Sequence, residues 1–338
     1  MKTFYIYLCF VSLLASSFSL KADNLFIVAK INNDIITNED LESRLDLALT
    51  LSNLPKEDKI KQQLRKQVLN ILIDETIKIQ EAQRLASRGV KELLVIAQDS
   101  TSYGWDASPK TSLHELFTEL DKIDGIEWLR LHYAHPSNLH RKMIDQFKHL
   151  QKLIPYIDMP IQHGADKMLK IMRRGLKSDG IKKKIDSLRN SNNDIAIRTS
   201  IIVGHPGETD KEFNELLKFI SEVEFDRLGV FQYSHEEDTL AGNVMKDEVP
   251  KKVKKERFEQ TMELQQKINL RKNKSLVGTE QKILVDMSKD NFSLGRTYRD
   301  SPTVDNYVKI NTNLETGKFY NVKIEKALEY DLLGQVVK

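Results

Sequence analysis

Five short apolar runs separated by amphipathic helical patterns constrain this chain more than any other feature of its sequence. The runs cover residues 92–97, 128–133, 156–161, 195–203 and 228–233. Helical spacing marks residues 112–122, 138–150, 166–172, 179–190 and 209–223. Strands alternating with helices imply βαβ crossovers and so a parallel sheet covered by helices. In such sheets the polar residues just past each strand's C-terminal end face the ligand. Here those ends read Gln98-Asp99, Ala134-His135-Pro136, Gln162-His163-Gly164, Gly204-His205-Pro206-Gly207-Glu208 and Ser234-His235-Glu236-Glu237.

Two chemistries are open to those ends. His135, His163, His205 and His235 follow four different strands, and imidazole is a common metal ligand. No helical His pair or tight ligand spacing accompanies them, so the expectation is no metal site. The 204–208 turn is more informative. Its glycines permit close backbone approach, and Thr209 or Asp210 opens a helix whose N-terminus suits an anion.

The chain has 338 residues and a net charge of +3, with a single cysteine. One cysteine excludes a disulfide framework within the chain, a Cys-based zinc site and a cluster held by the cysteines of one chain. That residue, Cys9, lies in an apolar run from Phe4 to Phe18 that follows Lys2 and ends near Ala22. This is the shape of an export signal, expected over residues 1–22. It predicts a periplasmic protein with no membrane span after the signal is removed. Residues 26–31 and 35–37 then flank an Asn-Asn-Asp turn and read as a hairpin. Thr37 or Asn38 caps a following helix, and Pro55 opens another whose apolar stripe runs to about Leu85.

Two resemblances follow from longer phrases. "VAKINNDIITNEDLESRL" and "LRKQVLNILIDETIKIQEAQRL" resemble the N-terminal region of the SurA-type periplasmic chaperones over residues 23–86. That likeness implies unfolded outer-membrane-type polypeptides as partners. "RGVKELLVIAQDSTSYG", "WLRLHYAHP", "PYIDMPIQHGADKMLKIMRRG", "IRTSIIVGHPGETDKEF", "RLGVFQYSHEEDT" and "VPKKVKKERFEQTMELQQKI" occur in the order of the radical S-adenosylmethionine methylthiotransferases. They are similar to the RimO branch, which modifies an aspartate of a small-subunit ribosomal protein. This second resemblance covers residues 87–338. It implies an S-adenosylmethionine pocket lined by Gln162, His163, Arg198, Gly204, Gly207 and Glu208, with Asp99, Tyr233 and Ser234 less firmly placed. An arginine on a barrel strand suits a carboxylate, either the cofactor's or that of a buried barrel acid. It also implies a 4Fe–4S cluster held by a Cys-x-x-x-Cys-x-x-Cys loop. No cysteine follows Cys9, so the cluster ligands are absent, no metal ligand is assigned, and the chain reads as catalytically incompetent. A cytoplasmic location is the alternative that this resemblance implies.

"EAQRLASRGVKEL" fits both families and marks a join, so the chain reads as a chimera. The expected fold is α/β: an incomplete parallel radical-SAM-type barrel (87–245) preceded by a helical segment (23–86). A basic linker helix (246–274) and a small β-barrel (275–338) follow. Residues 246–274 hold ten Lys/Arg against five Asp/Glu, read as a solvated face. The last segment, with "GRTYRDSPTVDN" and short β-prone runs, resembles the TRAM domain that ends the methylthiotransferase family. Without a first barrel strand, residues 92–97 form an apolar edge expected to drive self-association. A charge at Val95 is expected to relieve it, and the last barrel is expected to fold independently.

Overall fold

The computed structural model of the protein describes residues 25–32, 34–51, 55–105, 112–237 and 239–337. The export signal expected over residues 1–22 lies outside them. Among the described residues, no helix is long and apolar enough to cross a membrane.

Strands β1 (Ile27–Ile31) and β2 (Asp34–Thr37) form the expected hairpin. Thr37 closes helix α1 (Asn38–Leu51): its amide donates to Asp40 Oδ2 at 2.8 Å and its hydroxyl accepts the Asp40 amide at 3.2 Å. Helix α2 (Asp58–Ser87) begins three residues beyond Pro55, which therefore sits outside the first turn. Its 30 residues span about 45 Å. Ile79, Ala82 and Ala86 near its C-terminal end pack on the main core, so α2 is continuous with the sheet domain.

That domain is a five-stranded parallel sheet in sequential order: β3 (Glu92–Val95), β4 (Trp128–Leu131), β5 (Leu153–Asp158), β6 (Ala196–Val203) and β7 (Arg227–Gln232). Helices α3 (Leu113–Asp121), α4 (Arg141–His149), α5 (Asp166–Ile171), α6 (Ser178–Ser191) and α7 (Asp210–Val223) supply the crossovers. Side chains alternate between the faces of a strand. Leu129, Leu131, Ile157, Ile197, Ile201 and Val203 lie buried under the helices. The opposite, concave face carries charge: Glu92, Arg130, Asp158, Arg198 and Arg227.

A short α8 (Leu240–Val244) precedes α9 (Lys251–Leu276). The buried stripe of α9 is polar: Lys254, Arg257, Thr261, Gln265, Asn269 and Asn273, at spacings of three and four. Phe258, Met262 and Leu264 are only half-buried, which is why apolar periodicity describes this helix poorly. Five more strands, β8 (Glu280–Lys289), β9 (Phe292–Arg296), β10 (Val308–Ile310), β11 (Phe319–Ala327) and β12 (Leu332–Val336), close into a barrel around Ile283, Val308, Ile310, Val322 and Ile324.

This barrel is not independent of the sheet. It covers the lower half of the concave face, where Trp128, Ile154, Tyr156 and Ala196 pack against Leu284, Tyr298 and Phe319. Beside that layer the two domains share buried ions. Arg296 bridges Glu92 and Asp286 at 2.8 and 2.6 Å, and Arg130 holds the other Glu92 oxygen at 2.7 Å. Arg227 meets Asp300 at 2.6 Å, and the Ser301 hydroxyl lies 3.0 Å from His132 Nε2. Burial pushes the His132 imidazole down to about 4, so it stays neutral at ordinary pH.

The outer edge of β3 pairs with no strand among the described residues. Val95 faces the core and Ile96 is 57% exposed, so a charge that blunts this edge belongs at Ile96, not Val95. Ile96→Lys is expected to raise the monomeric fraction in size-exclusion chromatography, because a lysine on an open edge opposes strand pairing. An unchanged elution profile of an associating protein would place the contact elsewhere.

Candidate active site at the strand ends

Two turns meet where β5 and β6 end. The first is Gln162-His163-Gly164. The Gln162 amide donates to the Ser200 carbonyl at 2.9 Å, and its carbonyl accepts the Ile202 amide at 2.9 Å, with φ at +70°. His163 is fully buried. Its Nδ1 accepts the Ala165 amide at 2.9 Å, which assigns the proton to Nε2. That Nε2 points at Glu208 Oε2 from 3.6 Å, beyond hydrogen-bond reach, and has no partner. Gly164 is glycine because a Cβ there would stand 2.7 Å from Phe219 Cβ.

The second turn is Gly204–Glu208. Gly204 has φ at +74°, and a Cβ would fall 2.3 Å from Lys254 Cγ. Positive φ and this close approach together require glycine. Glu208 ties the turn together: Oε2 accepts the Gly204 amide at 2.8 Å, and Oε1 accepts Arg257 Nη1 at 3.0 Å. Arg257 also donates to the Glu208 carbonyl at 3.2 Å and to Asp210 at 2.9 Å. Lys254, beside Gly204, donates to Asp247 at 2.7 Å and to the Tyr233 carbonyl at 3.1 Å. The polar stripe of α9 therefore fixes the turn from below.

The structure brings Gln162, His163, Gly204, Gly207 and Glu208 together at this rim. Arg198 sits lower on the concave face. It donates to Asp158 at 2.9 Å and to Asp305 of the small barrel at 3.2 Å, so a buried barrel acid is its partner. Asp99 is held by Ser102 and Asn138 at 2.6 and 2.9 Å. Burial would raise its carboxyl, but these hydrogen bonds prevail and keep it below the usual range. Tyr233 lies edge-on to His205, ring centroids 4.8 Å apart, and Ser234 donates to Glu236 at 2.8 Å.

Sequence reasoning missed four supporting residues: Asp158, Asp305, Lys254 and Arg257. Lys254, Arg257 and Asp305 stand far from the strand-end phrases, and Asp158, although it ends β5, precedes the Gln162-His163-Gly164 turn that marks the rim. It also missed Phe231, which stands opposite Ile202 on the concave face and is 56% exposed. Beside the two turns, Phe231 and the half-buried Ile202 form an apolar platform with Ser200 next to it. An aromatic face flanked by polar backbone suits a flat heterocycle carrying a polar tail.

Among the described residues, no three His, Cys, Asp or Glu side chains converge as metal ligands. The strand-end loops carry Asp99, His135, His163 and His205 and no thiol, and Cys9 lies outside the described residues. These residues do not fit a thiolate-held iron–sulfur cluster.

Comparison with known proteins bears on the whole arrangement. Residues 62–220 match the Radical SAM superfamily and residues 277–337 match the TRAM domain. The ribosomal protein uS12 methylthiotransferase RimO of Christiangramia forsetii is 44% identical over 76% of this chain and 58% of its own length. Those of Cytophaga hutchinsonii and Clostridioides difficile are 42% and 44% identical, each over 77% of this chain, and over 60% and 59% of their own lengths. The chain is RimO-like: it carries a radical SAM domain and a TRAM domain and is similar to these methylthiotransferases over about three quarters of its length. It spans about three fifths of the length of these relatives. This methylthiotransferase family uses S-adenosylmethionine and 4Fe–4S clusters. The superfamily match begins at residue 62, inside α2 and inside the stretch read as chaperone-like, and the chaperone resemblance gains no support.

Proposed function

We propose that this chain is the cofactor-binding and substrate-docking portion of a methylthiotransferase acting on a small-subunit ribosomal protein, and that it does not catalyse the transfer by itself. The observation that carries this reading is the pair of turns, 162–164 and 204–208, locked side by side at the strand ends of a radical SAM sheet. S-adenosylmethionine would lie with its adenine against Phe231 and Ile202. Its polar end would meet the backbone of Gln162, Gly204 and Gly207. His163 and Glu208 position these turns from beneath. The missing transfer activity follows from the cysteine count: no thiolate after Cys9 is available to hold the cluster whose electron cleaves the sulfonium bond in this family.

The test has two arms. Isothermal titration of the purified chain with S-adenosylmethionine is expected to show one saturable site. Phe231→Ala is expected to weaken it about tenfold, equivalent to about 1.4 kcal/mol. Anaerobic reconstitution with iron and sulfide is expected to give no bound cluster. Binding that ignores Phe231→Ala would move the site elsewhere, and about four irons and four sulfides per chain would overturn the assigned inactivity.

A further inference from the structure

At the other end of the sheet lies a cavity that the proposed function does not use. The N-terminal ends of β6 and β7, the C-terminal end of α6, the last turns of α9 and Arg299 of the small barrel surround a polar space of about 320 Å³. Three cations from three elements converge there: Arg189 from α6, Lys272 from α9, and Arg299.

Two of the three are occupied. Arg189 donates to the carbonyls of Val223 and Glu224 at 2.6 and 3.3 Å, and Lys272 donates to Asp226 Oδ1 at 2.8 Å. Asp226 is itself committed, since its Oδ2 accepts the Ile197 amide at 3.0 Å. Arg227 also borders the space, but Asp300 neutralises it. Arg299 differs. Its side chain is only 20% exposed, and its Nε is shut off from water with no partner. The nearest carboxylate oxygens, on Asp226 and Asp194, stand 3.6 and 3.9 Å away, too far for hydrogen bonds. The guanidinium rests against the Tyr298 ring, 5.0 Å from its centroid. A buried donor without an acceptor is costly, and Arg299 lines a polar space, where a planar guanidinium fork suits an oxyanion.

We propose that this cavity binds a phosphate group, with the Arg299 fork as its anchor and Lys272 and Arg189 supplying further charge. Cations approaching from three directions suit a tetrahedral phosphate better than a flat carboxylate. The space is larger than one phosphate ion, which leaves room for the rest of an ester. The bound group would tie α6 and α9 to the small barrel. The same chemistry is offered by free phosphate and by a nucleic-acid backbone, and the experiment separates them.

The full chain is titrated with inorganic phosphate at fixed ionic strength, followed by calorimetry. One saturable site is expected. Arg299→Ala should weaken it at least tenfold, and Lys255→Ala, on the exposed side of α9, should leave it unchanged. Asn193→Asp places a negative charge at the exposed mouth without touching the core. It should weaken binding several-fold even if Arg299→Ala fails to fold, as circular dichroism will show. A short single-stranded RNA forms the second arm. Tighter binding than phosphate, lost in Arg299→Ala and competed by phosphate, assigns the site to a nucleic-acid backbone. Phosphate binding without such competition assigns it to a free phosphate. The absence of saturable phosphate binding overturns the proposal, as does binding that stays within twofold in both the Arg299 and Asn193 variants.

Discussion

Replacing Arg296 with alanine is expected to lower the unfolding free energy by about 3–5 kcal/mol, the usual cost of stranding a buried charge. Arg296 is 3% exposed and joins Glu92, Asp286 and the Asp300 carbonyl in one grip across the two domains. Without it, Glu92 keeps only Arg130, in a site closed to water. The pH profile should change as well. Burial alone would raise the Glu92 carboxyl, but Arg130 and Arg296 outweigh it and hold the group below its ordinary 4.5. A depressed carboxyl adds stability that is complete above the unfolded value and lost as pH falls through the folded one. The parent protein should therefore lose stability below pH 4.5 more steeply than the Arg296→Ala variant. Urea midpoints at pH 7 and pH 3.5 measure both effects. A loss under about 1 kcal/mol at pH 7 would show that the seam is solvated rather than dry.

Arg257→Ala should be nearly as damaging, by a route that reaches the site. Arg257 is the cation on Glu208, whose carboxylate has no exposed surface. Once Arg257 is gone, a carboxylate shut off from water loses its cation, and a buried charge left unpaired is strongly destabilising. The Glu208 carboxylate also holds the Gly204 amide, so loosening it frees the turn, and affinity for S-adenosylmethionine should fall together with stability. Arg257→Lys should rescue only part of this, because one ammonium cannot span Glu208 and Asp210 as the fork does. A variant with parental affinity and parental stability would remove Glu208 from any role in holding the turn.

Local pattern carried most of the fold. Runs at 92–97, 195–203 and 228–233 became β3, β6 and β7 with shifts of one or two residues at their ends, because turn residues bound them sharply. The third strand was displaced. The apolar run spans 156–161, whereas β5 begins at Leu153 and ends at Asp158. Pro155 inside the strand and the buried Asp158 at its end both break the expected pattern. The rim residues were legible because turns are encoded locally, by glycines and by the polar residues between them. Their supports were not. Asp158 meets Arg198 across 40 residues, Asp305 meets it across 107, and Arg257 reaches Glu208 across 49. Nothing in a single sequence pairs charges at such separations. The ions that anchor the last barrel to the sheet were illegible for the same reason, since they are scattered along the chain.

That scattering also sets an order of events during synthesis. Glu92 and Arg296 are 204 positions apart, and at roughly 5–20 residues per second the ribosome needs about 10–40 s to make the second after the first. For that interval the emerging sheet exposes Arg130, Asp158 and Arg198 without the strands that later cover them. Contacts of such long range are slow to form, because loop closure must be achieved before they contribute anything. A nascent chain stalled before residue 296 therefore has a wet, charged interior and an open apolar edge at Leu94 and Ile96. It is the form of this protein most in need of a chaperone.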